Sequence, residues 1–418
     1  MSNERVGIVG AGIAGLTCAR ELQQAGISFQ LFEADEEIGG RVQTDRVDGF
    51  QFDRGFQVLL TQYPEARRVL DYERLHLRYF TPGAVIRYAG EFHRLVDLWR
   101  QPSDLWNTAF CPVATVADKL RVLKLWRDVC RGTLDDLFAR PETTTAEALV
   151  QRGFSQRFID SFFRPFLGGI FLESELTTSS RKFEFVFRMF SQGLAAIPRD
   201  GMRAIPNQMA EQFPEGAIQT GCRVTQVEQN RVHLDDGAVH EFDRVVLAVE
   251  QPAAARLLGT TSTPGHHVHC LYFAAGKSPV REPILVLNGE GNGPINNLCC
   301  LSDVSSSYAP AGRALISVTV LKSVEFESQL EERVRQQLTD WYGADVADWE
   351  LLRTYRIPYA VPPQGASALS PVAKPVQQDD GIYRCGDYLD IASLQGAMAS
   401  GRRAAEALAA AMLQTHST

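Results

Sequence analysis

Between a short apolar strand and an amphipathic stretch the chain places three glycines in the order Gly10-Ala11-Gly12-Ile13-Ala14-Gly15, and this spacing constrains the fold more than any other feature. Val6-Gly7-Ile8-Val9 before it reads as a buried strand, and Leu16 to Ala25 after it reads as a helix that stops at Gly26. A second strand, Phe29-Gln30-Leu31-Phe32, ends on Glu33. Each part has a task in holding a dinucleotide. Gly10 permits a tight turn, Gly12 lets the backbone approach a pyrophosphate, and Gly15 lets the helix pack close to the strand. The unpaired N–H groups and positive dipole end of the helix face the phosphates, with Ile13 and Ala14 counted among the contacts. Glu33 stands about 20 residues on, where an acid accepts hydrogen bonds from a ribose. A glycine triplet alone is a common turn; strand, turn, helix, strand and acid in this order specify a nucleotide fold.

The next residues narrow the cofactor. Glu33-Ala34 is followed by Ile38-Gly39-Gly40-Arg41, a second glycine turn with an arginine that offers a charged fork to a pyrophosphate. This resembles the glycine-glycine-arginine extension of FAD enzymes in the amine oxidase, protoporphyrinogen oxidase and phytoene desaturase superfamily. At the other end, Gly381 to Asp387 reads as a strand ending in Gly386-Asp387; Ala392 to Gly401 and a helix from Arg402 to Leu413 follow. That pattern is similar to the closing motif of the same enzymes.

The resemblance implies FAD, with Asp387 on the ribityl chain and a helix N-terminus at the pyrimidine end of the flavin, where it stabilises charge gained on reduction. It also implies contacts from Leu394, Gln395 and Ala397, from Gly55, Phe56 and Gln57 in a segment that passes the flavin ring, and from the backbone of Val224 at the adenine. The implied fold class is α/β: a Rossmann-like FAD-binding domain in a p-hydroxybenzoate-hydroxylase-like two-domain architecture, interleaved with an α+β substrate domain. The expected boundaries are 1–75, 195–260 and 376–418 for the first, and 76–194 and 261–375 for the second, with a helical insertion at about 99–191.

A length of 418 residues exceeds a single core, which agrees with two domains. The formal net charge of −8 argues against nucleic acid, whose phosphates require a basic surface. Eight cysteines without a CxxC pair fit free thiols in a reducing compartment. Met1 to Arg5 shows no secretory pattern, and no apolar run approaches the roughly 20 residues of a spanning helix. The expectation is a cytoplasmic protein, with attachment to a membrane surface left open: aromatic and basic residues around Trp99, Trp106, Phe110, Lys119, Lys124 and Trp126 suit either an interface or an ordinary helical domain.

Further elements follow from period and turn chemistry. Phe50 and Phe52 alternate in a strand, Tyr63 to Leu70 is helical, and Pro82 to Leu95 forms a hairpin turning at Ala89-Gly90. Val116 to Arg131 carries Val116, Leu120 and Leu123 at helical spacing, with Trp126 and Val129 beyond. Thr144 or Thr145 caps the next helix, with Glu147 in its first turn. Phe158 to Leu172, rich in phenylalanine, suits the wall of an apolar substrate cavity or the core of a helix bundle. Ala204 to Gln212 is helical, strands occupy Ala217–Thr220, Arg223–Glu228, Arg231–Leu234 and Asp243–Val249, and the substrate domain resumes with His267–Ala274, Ile284–Leu287 and Ala314–Leu321. A helix spans Phe326 to Tyr342, and the proline-rich Ile357 to Pro363 reads as a rigid loop.

The chemical clue is an absence. Amine oxidases of the superfamily carry a lysine near flavin N5 on a substrate-domain strand; placing His267 to Tyr272 on that strand puts His269 there, and Lys277 falls beyond it. His269 is thus the candidate catalytic base near neutral pH, or a histidine simply satisfied within the sheet. His266, His267 and His269 lack a carboxylate and alternate across the strand, so no metal is expected. Ser393 occupies a position where amine oxidases cage the amine with aromatic rings.

These features favour an oxidoreductase that takes a hydride from a carbon of a small apolar substrate, isoprenoid- or porphyrinogen-like, of the desaturase or dehydrogenase type. The rivals are a flavin amine oxidase with a divergent site and a flavin-binding protein without turnover. The electron acceptor stays open between oxygen and a quinone.

Overall fold

Three distant parts of the chain build one parallel sheet. In the computed structural model, which describes residues 5–96, 100, 111–321, 329–378 and 381–415, strand Arg5–Val9 lies between Ser28–Phe32 and Arg244–Leu247. Ile218–Gln219 and Tyr383–Arg384 close the two edges, and every pairing is parallel. Val6, Ile8, Leu31, Val245 and Val246 are fully buried, as strands covered on both faces require. Helix Ile13–Gln24 connects the first two strands. A three-stranded antiparallel ribbon, Val224–Val227, Arg231–Leu234 and Val239–Glu241, precedes the return to the parallel sheet.

The second sheet has seven strands in the order Glu350–Val361, His266–Ala275, Ala314–Val320, Ile295–Cys300, Leu285–Asn288, Gly83–Tyr88 and Glu91–Val96. Its hairpin turns at Ala89 and Gly90, both at positive φ, the two-residue geometry that suits strand twist. Alternation along His266–Ala275 sends Leu271 and Phe273 into a cluster with Val334, Leu338 and Trp341 of helix Leu330–Tyr342. Cys270 and Tyr272 face the other way, and Tyr272 meets Phe52 edge-on at 5.3 Å.

Buried Asp53 ties the seven-stranded sheet to Thr44 and to Met202, just before helix Ala204–Ala210. Its carboxylate accepts from the Thr44 hydroxyl at 2.5 Å, the Met202 amide at 2.9 Å and the Tyr308 hydroxyl at 2.8 Å, and its carbonyl accepts from Tyr272 at 2.7 Å. Burial pushes the carboxyl up to about 6, against the pull of those hydrogen bonds.

Two sequence expectations are corrected. The proline-rich segment is not a loop, because strand Glu350–Val361 runs through Ile357-Pro358-Tyr359. It is an edge strand, and its register shifts between His266 and Val268, so the missing Pro358 amide is tolerated. The closing helix starts at Leu394, not Arg402. Gly396 and Gly401 are contact positions within it: a Cβ on Gly401 would stand 2.3 Å from the Ala14 carbonyl oxygen of helix Ile13–Gln24.

Helix Val116–Cys130 turns Val116, Leu120, Leu123 and Trp126 outward. It docks instead through Leu125, Val129 and Asp118, which completes a capping box with Thr115 and accepts from the amide and hydroxyl of Ser155. The Thr144–Glu147 box caps Thr145–Gln151 as expected. Trp99, Trp106, Phe110 and Phe326 lie outside the described residues.

Candidate functional site

The two glycine motifs meet at the C-terminal end of the parallel sheet. Gly10, at φ 106°, has no room for a side chain because a Cβ would stand 2.7 Å from the Ala248 carbonyl oxygen. Gly15 sits under the Gly10 carbonyl, where a Cβ would lie 2.0 Å away. Gly12 bridges to Gly39, and the Gly39 amide donates to the Ala11 carbonyl at 2.9 Å. A Cβ on Gly12 would meet no atom within 4 Å, and one on Gly40 would meet only the Gly12 Cα, at 3.4 Å. The two turns therefore form a bare backbone cradle at the first turn of a helix with no side-chain cap, where Ile13 and Ala14 lie buried. This suits a phosphate group.

Glu33 accepts from the Ala11 amide at 2.8 Å and the Asp35 amide at 3.1 Å, beside half-buried Ala34. Burial raises its carboxyl above the ordinary range against the pull of those amides. The Cys222 amide donates to the Glu33 carbonyl at 2.8 Å, which brings Val224 to the same end, packed beside Val9 and Phe32.

Arg41 joins the two ends of the chain. Its guanidinium donates to Asp387 at 2.7 Å and to the Ala360 carbonyl at 2.8 Å, and lies 5.8 Å from the centre of the Tyr359 ring. The Gln57 amide group donates to the carbonyls of Arg41 and Arg54. Gly55 lies against Ile357, where a Cβ would approach to 2.9 Å, and Phe56 meets Phe80 edge-on. The Gly386 amide donates to the Ser400 hydroxyl at 2.9 Å. At the start of the closing helix the Gln395 side chain accepts from the Glu65 amide, and Leu394 and Ala397 are half-buried.

His269 stands apart from this group. Strand alternation puts it, with Leu271 and Phe273, on the sheet face turned to helix Leu330–Tyr342, next to the His267 ring at 6.1 Å. Burial, His267 and Arg356 lower its basicity, so it is neutral at neutral pH.

Lys182, in helix Ser180–Gln192, was not a sequence candidate. Only 2% of it is exposed, its ammonium lies 5.4 Å from the Phe171 ring centre, and burial brings it down to about 8 against the fields of Asp387 and Glu173. His266 feels both Glu173 and Lys182. A signal did exist: Lys182, Phe185, Val186 and Met189 fall at helical spacing, and all four are buried.

The phenylalanine-rich stretch divides in two. Phe158, Phe163, Phe171 and Phe183 are fully buried core. Phe162 and Phe166 are half-buried and stack at 5.5 Å and 9°, and Phe166 meets half-buried Phe190 at 5.3 Å.

A nucleotide cradle closed by both chain ends has counterparts among known proteins. The family model for flavin-containing amine oxidoreductases matches residues 13–409. The chain belongs to this family. It has the family's α/β two-domain fold. Protoporphyrinogen oxidase 2 of Arabidopsis thaliana is 30% identical over 173 residues, 40% of this chain and 33% of that protein. The carotenoid 3,4-desaturase of Haloarcula japonica is 47% identical over 55 residues, 13% of this chain and 11% of that one. The chain thus aligns with a third or less of the length of these curated relatives.

An oxidoreductase from Methanosarcina mazei superposes with a TM-score of 0.71 at 18% identity, over 96% of this chain and 100% of its own, a likeness of fold. Among the described residues no helix is long and apolar enough to cross a membrane, and no group of three His, Cys, Asp or Glu side chains is placed to hold a metal ion.

Proposed function

We propose that the chain binds FAD in this cradle and uses it to take a hydride from a carbon of an apolar, isoprenoid- or porphyrinogen-like substrate. The observation that carries the substrate class is the half-open aromatic wall of Phe162, Phe166 and Phe190, three large rings that the core leaves partly uncovered. The two relatives described above, a protoporphyrinogen oxidase and a carotenoid desaturase, point to the same class.

Bound FAD supplies the hydride acceptor. The chain supplies the rest. The backbone of Gly12, Gly39 and Gly40 and the fork of Arg41 hold the pyrophosphate, Glu33 the ribose, Asp387 the ribityl chain and the Val224 backbone the adenine. Leu394, Gln395 and Ala397 present the closing helix to the ring. The aromatic wall orients the substrate and excludes water. His269, neutral and on the far face of the sheet, takes no proton in this scheme.

The test has two stages. Purified protein should be yellow, and the flavin it releases should be FAD by chromatography. Anaerobic mixing should then bleach the flavin band with porphyrinogens or carotenoid-type polyenes and not with amines. Bleaching by amines alone would overturn the substrate class, and no bleaching by any compound would favour a carrier without turnover.

The outward Val116, Leu120, Leu123 and Trp126, next to Lys119, Lys124 and Arg127, support a peripheral contact with a membrane from which such a substrate is drawn. Sedimentation with anionic vesicles tests this, and Trp126→Glu with Leu120→Glu should abolish it.

A further inference from the structure

Among the described residues the buried ammonium of Lys182 makes no hydrogen bond and no ion pair; its one recorded contact is the face of Phe171. An unpaired buried cation is unfavourable, and an aromatic face offsets only part of that. Glu173 has a matching deficit. One of its carboxylate oxygens accepts from the Thr178 amide at 3.0 Å, and the other is buried without a donor. Lys182 and Glu173 feel each other electrostatically without pairing.

The helix that carries Lys182 is fastened to the segment that opens the closing helix. The Ser179 amide donates to the Gln364 carbonyl at 2.8 Å, while the Gln364 side chain donates to the Asp390 carbonyl and accepts from the Ala392 amide. One turn beyond Lys182, Phe185 stacks on Tyr63 at 5.9 Å and 2°, and the Tyr63 hydroxyl lies near the Ser393 side chain. Helix Ser180–Gln192 is thereby fastened to the start of the closing helix, and its unpaired Lys182 lies within the field of Asp387.

We infer that Lys182 sets its ammonium against the bound flavin and stabilises the negative charge that the ring gains on reduction. This rests on FAD occupying the cradle. Two electrons and one proton enter the oxidised ring and leave one net negative charge; Lys182 keeps its own proton throughout, and its part is electrostatic. Glu173 opposes it, holding the lysine in place while weakening its field at the ring.

The holoprotein tests this without turnover. Anaerobic reductive titration against a reference dye gives the flavin potential, and sulfite, which adds through its sulfur lone pair and leaves the charge on the ring, gives a second reading. Lys182→Met should weaken the reduction equilibrium and sulfite binding each by tenfold or more, about 30 mV for the two-electron couple. Lys182→Arg should restore most of both. Glu173→Gln should move both readings the opposite way, and it keeps the inference testable if the methionine variant fails to fold.

A flavin-bearing Lys182→Met protein with unchanged potential and sulfite affinity overturns the inference, even if it binds anionic substrates less well. So does a Glu173→Gln protein that shifts in the methionine direction or not at all. A wild-type protein that takes up no FAD overturns the proposed function first, and this inference with it.

Discussion

Arg41 and Asp387 stand 346 positions apart in sequence, yet their side chains meet in an ion pair of 2.7 Å, with Asp387 buried and Arg41 half-buried. The pair joins the second glycine turn to the strand end before the closing helix, so cofactor binding and chain closure share one contact. Arg41→Ala leaves the carboxylate without its partner and removes the fork from the pyrophosphate. FAD affinity should fall tenfold or more, measured by fluorescence on protein stripped and reloaded with FAD. Arg41→Lys should recover only part of the loss, because an ammonium does not reproduce the planar reach to both Asp387 and the Ala360 carbonyl. Unchanged affinity in the alanine variant would remove Arg41 from the site.

Two glycines separate binding from stability. A Cβ on Gly12 enters open space, and its φ of −74° suits alanine, so Gly12→Ala should leave the melting temperature of flavin-free protein unchanged while FAD affinity drops tenfold or more. A Cβ on Gly401 meets the Ala14 carbonyl oxygen at 2.3 Å and forces two helices apart. Gly401→Ala should cost about 1–3 kcal/mol of stability, read by denaturant unfolding with or without flavin. Equal effects of the two variants on unfolding would refute this division.

The glycine turns were legible because their requirement is local: a positive φ or a bare backbone is written in one residue, as at Gly10 and Gly39. The hairpin at Ala89-Gly90 and the Thr144 cap were legible for the same reason. What depended on tertiary partners was not. The closing helix was expected only from Arg402, because the helix that Gly401 packs against lies nearly four hundred residues away in sequence. The apolar spacing of Val116, Leu120 and Leu123 marked the outer face, since a buried, fully bonded aspartate decides which side docks. His269 shows how one residue matters on a strand: its neighbours Val268 and Cys270 point to the opposite face. Lys182 was hidden by the expectation that lysines stay in water.

The two halves of the phenylalanine cluster predict opposite phenotypes. Phe163 is fully buried among Phe154, Phe158 and Phe183, and Phe163→Ala should lose about 3–5 kcal/mol of stability. Phe166 is half-buried, so Phe166→Ala should unfold nearly as the wild type does and raise KM for the apolar substrate several-fold with kcat little changed. A Phe166→Ala protein with unaltered KM would take the wall out of the substrate site.

His269→Asn should leave flavin content and the pH profile of turnover as they are, because the imidazole lies on the sheet face turned to helix Leu330–Tyr342, away from the cradle. Loss of the acidic limb from the kcat/KM profile would restore it as a base.

Asp53 gives the fold a pH signature of unusual sign. Burial holds its carboxyl at about 6, above the ordinary 3.8, even though Thr44, Met202 and Tyr308 all donate to it. Between those values the folded protein binds more protons than the unfolded chain, so this group's contribution is fully present below about pH 4 and is lost as the pH rises through 6. The span corresponds to about 3 kcal/mol. Paired carboxylates elsewhere act the other way: Asp118, held down to about 2 by its bonds to Thr115 and Ser155 against the opposing effect of burial, stabilises the fold above pH 4 and ceases to do so as the pH falls. Raw melting curves therefore mix both signs, and the difference between wild type and Asp53→Asn isolates one. Asparagine cannot ionise, so its stability relative to wild type should improve by about 3 kcal/mol between pH 4 and 7, whatever constant offset the altered hydrogen bonds introduce. A difference that stays flat across that range would mean that Asp53 titrates like a solvent-exposed carboxyl and that its contacts to Thr44, Met202 and Tyr308 hold it ionised.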